Sequence, residues 1–435
     1  MRVLRSLKDQ RVIKVITGVR RSGKSTLLEM FADELRRETP DAPVQSLNFE
    51  DPKNLALGDW GQIYNIVHGK LHPDRMNYVF LDEVQNIAGF ERLVDGLYIQ
   101  KNIDLYITGS NAWLLSSELA TLLTGRYIEI NILPFSFAEY VGRLEMVADN
   151  QKNTPSSGQT TDSINSPNLA KNGGLGNLSG NPQLINGLSK HEILATYVAN
   201  GGIPQSLSIR EADKEQADEF LRGMINTIVE KDIFSRHEIF NKPTFQKILD
   251  FVMDSIGSPI SPRSIAGTLR SERLAIDHKT VSVYLDYLTS AFLLYKVPRY
   301  DVKGRDFLRT LDKYYLVDTG FRNARLPKDR RSNIGHLLEN TVYLELRRRY
   351  RSVFVGKLRE HEIDFVATDT DGYTTYFQVA QTALEPSTLE RELKPLAAVR
   401  DSNPKYLLTM DIDDNPVFNG IRKLNIAEWL LANPA

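Results

Sequence analysis

Between Arg11 and Tyr140, short apolar runs rich in β-branched residues alternate with stretches of helical spacing: VIKVIT, then KSTLLEMFADELRRE, then VQSLNF, and later YVFLDE and LYITGS. Runs of this length separated by helical stretches predict βαβ units and a mainly parallel sheet. From His191 to about Thr310 the apolar spacing is helical, as in DEFLRGMINTIVEKDIF, FQKILDFVMDSI and TVSVYLDYLTSAFLLYKV. After Asn333 the pattern changes again. A helix, GHLLENTVYLELRRRY, precedes the short runs VFVGKL, EIDFVAT and TTYFQVAQ, and a second helix, LERELKPLAAVRD, leads to YLLTMD, giving an α-β-β-β-α-β order. The expected class is α/β, with a parallel sheet first, a helical region in the middle and a second α/β unit at the end.

Composition interrupts this pattern once. Between Asp149 and Leu188 the chain turns to Asn, Ser, Gly, Thr and Pro, and no aromatic residue occurs from Val141 to Thr196. Such a stretch cannot offset its ordering entropy by burial and is expected to be a disordered insertion. The 435 residues leave room for about three domains, and 41% hydrophobic with 25% charged residues is the composition of an ordinary globular protein. Lys and Arg (54) balance Asp and Glu (55), so affinity for nucleic acid or membrane would have to come from a local basic patch. The absence of Cys excludes disulfides and thiolate metal sites. With no apolar run as long as a membrane span and no signal-peptide pattern at the start, the expectation is a cytoplasmic protein without a membrane partner.

One segment carries specific chemistry. Gly18-Val-Arg-Arg-Ser-Gly23-Lys24-Ser25 fits G-x-x-x-x-G-K-[ST] directly between a strand-like run and a helix. Backbone N–H groups there form an anion nest backed by a helix N-terminus, Lys24 reaches the β and γ phosphates, and the Ser25 hydroxyl ligates Mg²⁺. The candidate nucleotide-binding set is Gly18, Arg20, Arg21, Ser22, Gly23, Lys24, Ser25 and Thr26, with ATP and Mg²⁺ as cofactors. Arg20 and Arg21 either add positive potential or point into solvent. In YVFLDE, Asp82 at the strand end would hold Mg²⁺ through water and Glu83 would polarise the attacking water. Ser110 and Asn111, ending LYITGSN, are two candidates for a polar contact to the γ-phosphate or the water. Arg126 stands between a helix and a strand, where an arginine finger could reach a neighbouring subunit's nucleotide in a homo-oligomer; a surface ion pair is the alternative.

GVRRSGKST, FLDEVQ, ITGSNA and LLTGRYIEI together resemble the AAA-type P-loop ATPases of a prokaryotic family that joins an ATPase domain to a C-terminal domain of unknown function. NGGIPQSL, LVDTGFRN, ENTVYLEL and EIDFVA are also similar to that family, so the resemblance covers nearly the whole chain, with the Asn/Ser/Gly-rich stretch as an insertion. It implies ATP binding and hydrolysis. The organisation expected is an AAA-type P-loop ATPase domain at 1–148, the insertion at 149–188, a helical lid and winged-helix-like region at 189–310, and a restriction-endonuclease-like α/β domain at 311–435.

The segments SPRSIAGTL from Ser261 and DHKTVSVYLDYL from Asp277 resemble the two helices of a winged helix-turn-helix, which places Lys279, Thr280 and Ser282 toward double-stranded DNA and Arg299, Lys303, Arg305 and Arg309 near a phosphate-contacting wing. Asp286 interrupts that face, and a plain packing module is the competing reading. In the last region Glu339, Asp364 and Gln378 follow the helix, strand, strand order of a restriction-endonuclease-like site, but the position where such nucleases carry the lysine that steadies hydroxide is Ala380. The expectation is a degenerate nuclease fold used for binding. His361, Glu362 and Asp364 also suggest a metal site, with a solvated turn entering a strand as the favoured reading. Three functions follow: a Mg²⁺-dependent ATPase whose nucleotide state moves the winged-helix and nuclease-like domains on DNA or a protein partner; a nucleotide-dependent DNA-binding or scaffold protein with negligible turnover; and an ATP-regulated nuclease.

Overall fold

The structure is a computed structural model that describes residues 1–112, 125–152, 188–274, 276–304, 306–326, 334–358 and 360–432. The disorder expected between Asp149 and Leu188 falls almost wholly outside the described residues.

The first unit is a five-stranded sheet of β1 (Ile13–Thr17), β2 (Val44–Asn48), β3 (Asn77–Asp82), β4 (Ile103–Gly109) and β5 (Tyr127–Asn131), in the order β2-β3-β4-β1-β5. Every neighbouring pair is parallel. Strand alternation divides its apolar side chains between two cores. Ile13, Val15, Val79, Leu81, Leu105 and Ile107 pack with the helices α4 (Trp60–His68) and α5 (Phe90–Ile99). Ile16, Tyr78, Phe80 and Tyr106 pack on the opposite face with Leu28, Phe31 and Leu35 of α2 (Lys24–Glu38) and with Leu4 of α1 (Arg2–Leu7). A short helix, α3 (Pro52–Leu55), follows β2. The carboxyl ends of β1, β3 and β4 therefore meet along one edge, where open α/β sheets place their ligands.

A helical region follows: α6 (Phe137–Lys152), α7 (Lys190–Asn200), α8 (Pro204–Ala212), α9 (Lys214–Thr227), a π-helix (Ile228–Phe234), α10 (Lys242–Asp254), α11 (Pro262–Ser271) and α12 (His278–Ser290). Pro204 opens α8, where a missing N–H costs nothing, and Asp213 caps α9 by accepting from Glu215 N and Gln216 N. The helical reading of TVSVYLDYLTSAFLLYKV is corrected at its end. α12 stops at Ser290, Phe292 turns at φ 53°, and LLYKV opens the strand β6 (Leu294–Asp301). Periodicity could not separate them because helix and strand are both deeply buried there. Pro298 is accommodated at a register shift between Val297 and Arg299.

The second sheet has eight strands in the order β12-β13-β11-β10-β9-β8-β6-β7, built from β6, β7 (Asp306–Leu316), β8 (Ser352–Leu358), β9 (His361–Thr368), β10 (Thr374–Val379), β11 (Lys405–Thr409), β12 (Val417–Phe418) and β13 (Ile421–Asn425). Phe365 and Phe377 pack with Leu338, Val342 and Tyr343 of α14 (Ile334–Arg349), while Val366, Tyr376 and Leu407 pack with Leu396 of α15 (Pro386–Ala397). The helix α16 (Ile426–Leu431) closes the chain. After β7 comes α13 (Thr319–Arg325), and Asp318 before it accepts from Gly320 N at 2.9 Å and from Gly202 N at 2.7 Å, tying NGGIP to the VDTG segment. One continuous core runs from Phe137 through the helical region into this sheet. Among the described residues no helix is long and apolar enough to cross a membrane.

Candidate functional site

The Gly18–Ser25 loop joins β1 to α2. Gly18 sits at φ 143°, where a Cβ would come within 2.2 Å of the Ile132 carbonyl oxygen, and Gly23 at φ 101° turns the chain into the helix; neither position tolerates a side chain without strain. Ser22 is buried with its hydroxyl unpartnered. Lys24 is buried too, its Nζ 3.1 Å from Gly18 O, 3.2 Å from Val19 O and 3.5 Å from Glu83 Oε1. The loop opens on a cavity of about 900 Å³ lined by Arg20, Arg21, Gly23, Lys24, Ser25 and Thr26, by Glu83 and Asn86, and from the helical region by Pro204, Gln205, Thr227 and Lys231.

Asp82 and Glu83 stand at the end of β3 as expected. The Asp82 carboxylate accepts from the Thr108 hydroxyl of β4 and is hydrogen-bonded by Ser25. Burial pushes its pKa above the usual carboxylate range, while those hydroxyls and Lys24 pull it back. Ser25 and Asp82 thus present adjacent hard oxygens at the mouth of the loop, a donor set that fits Mg²⁺. Glu83 is held in the left-handed region (φ 53°, ψ 49°), an uncommon conformation for a non-glycine residue that marks strained functional positions. Its N–H donates to Thr108 Oγ1 at 2.8 Å, and its carboxylate takes the Gln85 amide and faces Lys24. Among the described residues no group of three or more His, Asp or Glu is placed to hold a metal by itself.

Ser110 and Asn111 are both buried behind this site rather than lining the cavity. Ser110 Oγ accepts from Gln85 at 3.3 Å, and Asn111 Nδ2 donates to the Asp232 carbonyl at 3.1 Å. Thr108 and Gln85, which sequence reasoning passed over, make the closer contacts to Asp82 and Glu83; both lie inside the quoted segments LYITGS and FLDEVQ.

Arg20 is largely covered, whereas Arg21 remains exposed. Arg20 forms a two-pronged pair with Asp232 of the π-helix (Nε to Oδ2 2.7 Å, Nη2 to Oδ1 2.9 Å) and reaches Glu50 at 3.0 Å. Arg21 donates to Gln205 and lies over the Phe220 ring at 5.0 Å. Arg126 is an ion-paired residue and not an isolated cation: it contacts Asp95 at 3.0 Å and stacks over Tyr98. It precedes β5, and its carbonyl meets Ile13 N at the start of β1, so it lies at the far end of the sheet from its own phosphate loop.

Glu339, Asp364 and Gln378 are brought together in a second cavity of about 500 Å³. The expectation that this site lacks a cation is corrected by Lys313 of β7. Its buried ammonium lies 2.8 Å from Glu339, 3.0 Å from Glu362 and 3.6 Å from Asp364, and Tyr315 adds a hydroxyl donated to Glu339 at 2.5 Å. Burial works against the charge on Lys313, but Glu339, Asp364 and Glu362 outweigh it and raise its pKa. Burial, then Glu339, pushes Asp364 up to about 8, although Lys313 and the Val379 N–H at 2.8 Å oppose the shift. Gln378 accepts from Asp364 N and donates to Glu392. Arg299 is also corrected: it is buried beside Glu362 at 3.6 Å and does not face outward as part of a wing. Lys279, Asp286 and Lys303 are exposed, and Thr280 and Ser282 are half-buried. Arg305 and the side chain of Arg309 lie outside the described residues.

Residues 10–141 match the AAA domain, and residues 191–332 match a domain of unknown function. An uncharacterized protein of Haemophilus influenzae is 34% identical over 98% of this chain and 95% of its own length. The chain belongs to this family of AAA-domain proteins. An uncharacterized protein of Methanocaldococcus jannaschii is 28% identical across 81% of the chain and 71% of its own length. Among solved structures, a Walker-type ATPase of Pyrococcus abyssi is similar at a TM-score of 0.45 and 15% identity, covering 74% of this chain and 93% of that one. The first sheet of this family member is a P-loop NTPase sheet, and the chain as a whole is α/β.

Proposed function

We propose that this AAA-domain protein binds ATP with Mg²⁺ in the cavity at Gly18–Ser25 and hydrolyses it. The observation that carries this reading is the convergence of Lys24, Ser25, Asp82 and Glu83 on one cavity. In the structure Lys24 faces Glu83. A triphosphate entering the loop would draw the ammonium toward its β and γ oxygens, releasing the Glu83 carboxylate to orient and polarise water. Ser25 and Asp82 would hold Mg²⁺, whose charge would offset that developing on the phosphates. Ser110 and Asn111 act from behind, Ser110 through Gln85 and Asn111 through Asp232. Arg126, turned away from its own loop, serves a nucleotide only if a second copy of the chain presents one. The exposed Lys279 and Lys303 make double-stranded DNA the candidate partner of the winged-helix-like region, with a protein partner as the competing one. Steady-state phosphate release with and without double-stranded DNA tests the reading: turnover lost in Lys24→Ala supports it, stimulation by DNA connects the two halves, and nucleotide bound without turnover leaves the scaffold reading.

A second reading rests on Lys313. The nuclease-like site has its cation after all, delivered from β7 instead of from the position of Ala380, which keeps an ATP-regulated nuclease in contention on a restriction-endonuclease-like fold. Plasmid cleavage under Mn²⁺ that disappears in Asp364→Ala and survives Lys24→Ala would establish it. No cleavage by the wild type would leave the pocket a binding site.

A further inference from the structure

The outward face of α15 is apolar where a solvent-facing helix is normally polar. Pro386, Leu389, Leu393 and Ala397 recur at three- and four-residue spacing along one side of the helix and line a shallow groove of about 400 Å³. Pro386 and Ala397 are exposed and the two leucines half-buried, and Leu384, 68% exposed, extends the apolar surface beyond the start of the helix. Two charges border this stripe on one flank. Glu390 and Lys394 line the groove four residues apart. At that spacing, and in that order, an ion pair within the helix is favourable. Both side chains are nevertheless exposed, and neither makes an ion pair among the described residues.

An apolar stripe with an acid toward its start and a base toward its end, both on one flank, is complementary to its own reverse. When two such helices lie antiparallel about a two-fold axis level with Glu392, each Glu390 faces the Lys394 of the other copy and the apolar residues meet along the seam. A parallel pairing puts the two charged flanks on opposite sides of the seam and forfeits both contacts. Antiparallel alignment also opposes the two helix dipoles.

We propose that α15 is a self-association surface, covered by α15 of a second copy of this chain in an antiparallel, two-fold pairing. The helix has 12 residues and so spans about 18 Å. A contact of this length falls below the roughly 800 Å² per partner of a standard interface, so the dimer forms and dissociates with concentration. Thr388, Arg391 and Glu392 of the same helix line the cavity that holds Glu339 and Asp364, and the pairing therefore sets two such cavities about one axis.

Sedimentation velocity of the full chain over a concentration series tests this, without nucleotide so that association at the phosphate-loop end stays out of the measurement. The samples are the wild type, Glu390→Lys, Lys394→Glu and an equimolar mixture of the two variants. Each variant alone sets like charges against each other twice across the axis and should raise the dimer dissociation constant about tenfold or more. In the mixture every flank charge meets its opposite, and dimers should return to within about threefold of the wild type. Both positions are exposed, so each variant should keep the wild-type melting temperature. A wild type that stays monomeric up to about 200 µM overturns the proposal and leaves the stripe to a helix of another protein. Self-association that neither variant weakens, or a mixture no tighter than its components, overturns it as well.

Discussion

Replacing Arg20 by Met strips the guanidinium from a fully buried carboxylate. The Asp232 side chain is 0% exposed and that of Arg20 15%, and the guanidinium engages both carboxylate oxygens. Breaking such a pair by removing one partner costs about 3–5 kcal/mol, whereas replacing both partners with apolar residues is far cheaper. Asp232 has one escape, protonation, and burial already pushes its pKa upward in the intact protein despite Arg20. Without Arg20 the folded-state pKa rises further above the unfolded value. The variant's deficit is therefore smallest at acid pH, where the carboxyl is neutral in both states, and grows as pH rises toward neutrality. About 3 kcal/mol corresponds to a melting-temperature loss of roughly 6–12 °C for a unit of this size. Thermal melts of Arg20→Met, Asp232→Leu and the double variant at pH 5 and pH 7.5 supply the assay. The double variant is expected to melt above the Arg20→Met single at pH 7.5, with the gap narrowing at pH 5. A single variant within about 1 °C of wild type at pH 7.5, or strict additivity in the cycle, would show that the pair does not join the phosphate loop to the π-helix.

Glu83→Gln is expected to retain ATP binding and lose about a hundredfold or more in single-turnover hydrolysis, since the amide keeps the shape but cannot polarise water; wild-type turnover would move that role elsewhere. Lys313→Met should destabilise the C-terminal sheet by about 3–5 kcal/mol near neutral pH, because Glu339 and Glu362 lose their shared cation. An unchanged melting temperature would refute this. Asp318, buried among the backbone N–H donors of Gly202, Ile203 and Gly320, should titrate at about 6 in carboxyl ¹³C NMR. Its folded pKa lies about 2 units above the unfolded value, so this group contributes a loss of roughly 3 kcal/mol as pH rises from about 4 to 6. A titration near 4 would contradict the burial argument.

What the chain reveals unaided depends on distance along it. The phosphate loop was legible because β1, Gly18–Ser25 and α2 are contiguous, and the chemistry of the turn is written in neighbouring residues. Asp82 and Glu83 were legible as the end of an apolar run. Asp232 was not, because its partner Arg20 lies 212 residues away and a lone acid in a helical stretch has no distinctive spacing. Lys313 escaped for the same reason. The nuclease-like pattern carries its lysine at a fixed offset from Gln378, whereas the cation here arrives from a strand on the far side of β9, β8 and β6 in the sheet order. The π-helix was hidden as well, since one inserted residue barely disturbs a helical apolar pattern.

The pairing of β6 with β7 has a consequence for how this chain can be divided. Residue 310 falls inside β7, and β7 is hydrogen-bonded to β6 on the other side of that position, while β6 in turn joins β8. A cut at 310 would split a strand and bare the edge of the eight-stranded sheet, inviting edge-to-edge aggregation in both fragments. The same hairpin follows α12 after only a short turn, and one apolar core continues from the helices into the sheet. A cut ahead of Leu294 would spare the hairpin but still divide that core, so recombination or design has to move the helices and the C-terminal sheet together.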